Sequence, residues 1–191
     1  CVFLFAGMSS AQSNEALKAV TAARAQIGVT TTYDPAYSRM AYPMGDVPLQ
    51  RGVCSDVIIR AYRKAGIDLQ LLVHKDMQAN FSLYPKIWSL KKTDSNIDHR
   101  RVPNLEVFFK RQGKALADLR TADNFKPGDI VSWRLDNGLA HIGIVSNKKA
   151  LLAARPMIIH NIGQGTQEED VLFAWRIVGH YRWFSTARAR Y

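Results

Sequence analysis

The sequence predicts an α+β domain with N-terminal helices packed on a small antiparallel β-sheet, and three observations carry that prediction. Apolar residues recur at helical spacing up to Gly113. From Lys126 the pattern changes to period two, in short runs bounded by Pro, Gly, Asn or Asp. Helices first and strands afterwards put the helices on one face of the sheet. The 191 residues, 47% of them hydrophobic, suit one core-bearing domain, and no internal repeat or low-complexity tract divides them.

Taken in order, CVFLFAGMSSAQS joins a short apolar run to small polar residues, so residues 1–12 are expected to be the remnant of a secretory signal peptide and residues 13–191 the domain. A buried N-terminal segment and an acylated Cys1 are the other readings of this stretch. Ser13 is expected to cap a helix reaching Gly28. Residues 30–52, TTTYDPAYSRMAYPMGDVPLQRG, hold too many breakers for a regular element and too many tyrosines for a loose linker, which suggests an ordered cleft wall. A helix then starts at Cys54 and stops at Gly66, with Cys54 on its inward face. Residues 72–84 and 104–112 follow as helices, joined by the polar KKTDSNIDHRR. Four strands are expected, in KPGDIVSWRL, AHIGIVSN, PMIIHNIG and DVLFAWRIVGHYRW.

Only two cysteines occur, and an exported protein with one unpaired thiol calls for a reason. A helix N-terminus lowers a thiol's pKa and offers free N–H groups to an oxyanion, so Cys54 is expected to be an ionised nucleophile. Such a site needs an imidazole base and a polar group to orient it. His141 opens one predicted strand and His160 ends the next, so adjacent strands could set the rings together as base and orienting group. The plainer reading makes both strand-end histidines satisfied by backbone, Cys54 a small buried hydrophobe, and Asp56 a complement to the helix dipole. His74, His99 and His180 read as cap, surface or structural residues. No cofactor is expected. A zinc site at Cys54, His141 and His160 would lack the paired-cysteine spacing of structural zinc. The net charge of +10 is spread as doublets such as Lys91-Lys92 and Arg100-Arg101, which argues against a nucleic-acid stripe and fits anionic envelope polymers or a soluble basic surface.

Several stretches together carry a resemblance: RGVCSDVIIRAYRKAGIDLQ, NIDHRRVPNL, KPGDIVSW with HIGIVS, and IHNIGQGTQEEDVLFAW. They resemble the YijF-like family of uncharacterised bacterial envelope proteins, within the NlpC-type superfamily of papain-like cysteine hydrolases, from about Ala16 to Arg182. The resemblance implies a catalytic cysteine at a helix start, a histidine on one strand and a polar third residue on the next, places that Cys54, His141 and His160 match. It implies Tyr33 on the oxyanion side and a periplasmic or secreted enzyme acting on an amide, with peptidoglycan stem peptides as the partner. One departure is Val53, where many relatives in the superfamily carry Asp before the cysteine to hold a free substrate amine. Asp56, two residues past the cysteine, is the carboxylate left to contact substrate. A wall-binding module without catalysis is the alternative on the same fold.

Overall fold

The computed structural model describes residues 3–184, with side chains from residue 14 onward; Cys1 and Val2 lie outside the described residues. Helix α1 spans Phe3–Arg24, α2 Cys54–Lys64, α3 Leu69–Asn80 and α4 Val102–Arg111. A two-stranded parallel pair joins β1 (Thr32–Tyr33) to β2 (Arg51–Gly52). The main sheet holds β3 (Ile130–Arg134), β4 (Ala140–Lys149), β5 (Pro156–Asn161), β6 (Thr166–Glu169) and β7 (Arg176–Tyr181), antiparallel throughout in the order β6-β5-β4-β3-β7. The architecture is therefore mixed α+β. Among the described residues no helix is long and apolar enough to cross a membrane.

Strand alternation divides the interior in two. Ile130, Ile142, Ile144 and Ile159 face the helices, where they meet Ala19, Val20, Val57, Ile58, Ala61, Phe108 and Phe109. Val131, Trp133, Val145 and Ile158 face the other way, onto Phe125 and Leu172. Helix α2 is buried along nearly its whole length, because α1, the sheet and the 30–52 loop close round it. It ends at Gly66, whose φ of +83° suits a residue without Cβ.

Three expectations shift. Ser13 does not cap α1, because the helix already runs from Phe3. Helix α3 starts at Leu69 rather than residue 72, since the Asp68 carboxylate accepts the backbone N–H groups of Gln70 and Leu71. The sheet has five strands rather than four: β6 lies in TQEE, which has no apolar alternation, while residues 171–175 turn before β7 begins.

The 30–52 loop is ordered by buried charge. The Arg60 guanidinium donates to Asp46, Thr30 Oγ1 and the carbonyls of Val47, Pro48 and Arg51. That one side chain ties the loop to the middle of α2, so the segment that delivers the chain to Cys54 is held from below.

Candidate functional site

Two ties set the start of α2 against the sheet. Pairing of Tyr33 with Gly52 brings β1 beside the residues leading into the helix. The Asn161 side-chain amide donates to the Gly52 carbonyl at 3.1 Å, joining the end of β5 to the chain two residues before Cys54. Gly52 sits close to the helix start: a Cβ there would stand 3.0 Å from the Asp56 Cβ and Oδ2, tighter than ordinary contact.

Asp56 answers two buried needs. Its Oδ2 accepts the Val53 N–H at 2.7 Å, the reciprocal half of a capping box, and both of its oxygens accept from the Arg100 guanidinium at 2.9 Å. Arg100 donates further to the carbonyls of Asp34 and Ala36. Asp56 does not line the neighbouring cavity. The expected substrate contact therefore gives way to a cap and an ion pair that hold the helix start.

Cys54 lies at the floor of a cavity of about 860 Å³ whose walls include Tyr33, Tyr37, Trp88, Arg101, Arg134 and Leu139. The cysteine is free and 3% exposed. Burial pushes its thiol up to about 12, against the pull of the Ile142, Ser55 and Cys54 backbone amides, and the Asp56 charge adds to the rise. This corrects the expectation of an ionised sulfur: desolvation outweighs the helix end, and the thiol rests neutral. The contact with the Ile142 amide puts the sulfur one residue from His141 along β4. Tyr33, which lines the same cavity, is pushed up to about 12, chiefly by burial, and so keeps its O–H as a donor.

His141 and His160 are both buried, and their rings meet, His141 Nε2 lying 2.9 Å from His160 Nδ1. They occupy the sheet face of Trp133 and Trp175, while the sulfur approaches β4 from the helical side. Gly143 makes room: a Cβ there would stand 2.6 Å from Ile158 Cγ2 and 3.2 Å from His160 Cβ. His160 Nε2 in turn lies 2.9 Å from Glu169 Oε2. Alternation along β6 explains that contact, sending Glu168 to the helical side, where Arg24 and Ser146 hold it, and Glu169 to the histidine side.

Glu169 sets the direction of the whole chain of contacts. A carboxylate only accepts, so His160 carries its hydrogen on Nε2 and presents a bare Nδ1. His141 Nε2 then donates, which leaves the lone pair on His141 Nδ1. Burial, with His160 adding to it, drives His141 down to about 3, so this ring rests neutral. Burial also lowers His160, opposed by Glu169. The arrangement can take one proton at His141 Nδ1 and steady the resulting cation through His160 against a carboxylate. Glu169 escaped the sequence reading because its strand did. Among the described residues no group of three or more His, Cys, Asp or Glu is placed to hold a metal ion.

The remaining histidines are held within the fold. His180 Nε2 lies 2.7 Å from Asp129 with its ring stacked on Phe125, and His74 packs edge-on against Tyr42. His99 is buried and driven down to about 4 by burial. Because His141 and His99 lie below the ordinary 6.5, the unfolded chain binds protons between about pH 6.5 and 3.5 that the folded chain refuses, and stability falls as pH falls through that window. Asp98, pushed up to about 6 by burial, acts oppositely between about pH 4 and 6, so one carboxyl offsets part of the effect of two imidazoles. Denaturant titration should find a net loss of about 3 kcal/mol between pH 7 and 4.5; a flat or rising stability would contradict it.

Residues 20–183 match the family described as Domain of unknown function (DUF1287), and the chain belongs to that family. It is 60% identical over 173 residues to the "Uncharacterized protein YijF" of Escherichia coli (strain K12), an alignment covering 91% of this chain and 84% of that protein. No solved structure matches.

Proposed function

We propose that the chain is an exported cysteine-dependent amidohydrolase of the papain-like, NlpC type, acting on peptidoglycan stem peptides. The carrying observation is the hydrogen-bonded run His141, His160, Glu169, which leaves one basic nitrogen on the residue next to the amide that contacts the Cys54 sulfur. Placement in the envelope rests on the apolar N-terminal run and the basic surface.

In this reading His141 Nδ1 takes the thiol proton as the sulfur adds to the substrate carbonyl carbon. The oxyanion meets the Tyr33 O–H and the backbone N–H at the start of α2. Collapse breaks the C–N bond, His141 returns the proton to the departing amine, and water then hydrolyses the thioester with His141 again as base. Because thiol and imidazole both rest neutral, the ion pair forms only as the reaction proceeds.

Purified peptidoglycan, or its stem peptides, should release fragments detectable by mass spectrometry with the wild-type protein, and Cys54→Ala should lower that release at least about 10³-fold with the fold intact. Wild-type turnover by Cys54→Ala on a substrate the protein cleaves would sink the assignment. A wall-binding module without catalysis is favoured by one observation, the neutral and nearly enclosed thiol. Iodoacetamide separates the two: labelling of Cys54 at pH 7 that slows at least about tenfold in His141→Ala supports the hydrolase, whereas equally slow labelling of both proteins supports the module.

A further inference from the structure

Three arginines line the cavity over Cys54, and two of them are already paired. Arg100 forks onto Asp56, and Arg134 donates to both oxygens of Glu106 at 2.7 Å, which also neutralises the one carboxylate side chain in the lining. Arg101 is different. Its guanidinium lies over the Trp88 ring, 4.2 Å from the centroid, and its Nη1 is buried with no hydrogen-bond partner among the described residues. Asp98 and Asp94 act on it only at longer range, and burial pushes its pKa down. None of the hydrogen bonds among the described residues uses the Arg101 side chain, so the part of the guanidinium that reaches the cavity is free to receive an anion. Contact with the indole restrains the guanidinium, whose fork suits a carboxylate.

We propose that the cavity selects acyl substrates bearing a free carboxylate, which Arg101 binds while Trp88, Ile87 and Leu139 cover the neighbouring apolar part. All three of these side chains line the cavity and stay exposed in the free protein. The inference deepens the hydrolase reading and rests on it. It also accounts for recognition without an acidic residue before the cysteine: the charge offered to substrate here is positive, from Arg101, rather than negative, from position 53.

The test uses the stem tetrapeptide L-alanyl-γ-D-glutamyl-diaminopimelyl-D-alanine and its three singly amidated forms. One of the three amidations should slow the wild-type protein at least about tenfold. Arg101→Gln should slow the free tetrapeptide by a similar factor and leave the rate on that amidated form unchanged, with Arg101→Lys intermediate and all melting temperatures alike. Equal wild-type rates on all four peptides, or full discrimination retained by Arg101→Gln, would overturn the carboxylate subsite and leave the hydrolase standing. Cleavage of none of the four by the wild-type protein would remove the stem-peptide reading, and this inference with it.

Discussion

Under the proposed hydrolase reading, His141→Ala is expected to lower hydrolysis of wall peptides by about 10³-fold while leaving the protein folded. Alanine removes the one ring nitrogen on β4 that the tautomers leave with a free lone pair, and nothing else described on β4 can replace it. Glu169→Gln should be milder. The glutamine carbonyl still accepts the His160 Nε2 hydrogen, so the tautomers survive and only the negative charge behind the developing imidazolium is lost; about a tenfold drop follows. Steady-state rates from pH 5 to 9 separate this from general damage, because the loss in Glu169→Gln should lie in kcat with KM unchanged. Equal rates for His141→Ala and wild type would show that the imidazoles serve only the fold.

The largest stability effect is expected at Arg100. Arg100→Met strands the Asp56 carboxylate, whose partners would shrink to the Val53 N–H, in a site where both members of the pair are almost wholly enclosed. Removing one partner of a buried ion pair costs about 3–5 kcal/mol, because the other charge stays behind without compensation. For a chain of this size that is roughly 10 °C in the melting temperature, readable by calorimetry. The loss should shrink in Arg100→Met combined with Asp56→Asn, since the stranded charge is then gone. A melting temperature within about a degree of wild type in the single variant would mean that the pair does not hold the helix start.

How much of this could be read from residues alone differs from element to element. The Cys54 helix was legible because Val57, Ile58, Ala61 and Tyr62 repeat at helical spacing and Gly66 stops them. Strand β4 was legible because Ile142 and Ile144 alternate with their neighbours, and β5 because its apolar run is bounded by Pro156 and Asn161, which set His141 and His160 on neighbouring strands. Strand β6 was not legible. An edge strand of TQEE gains its place from pairing with β5 rather than from its own apolar side chains, and the carboxylate that orients His160 was missed with it. Arg100 was hidden for a related reason: in KKTDSNIDHRR it looks like solvated charge, and only the approach of α2 shows that its partner is buried 44 positions earlier. The neutral thiol was misjudged because a helix end is visible in sequence whereas desolvation depends on what packs over it.

That last feature bears on resistance to oxidation. Oxidation of cysteine to sulfenic acid and beyond starts from exposed thiolate, and a sulfur that keeps its proton at the bottom of a recess offers peroxide very little of that form. The same burial therefore spares Cys54 from peroxide, and no second described cysteine is at hand to trap any damage as a disulfide.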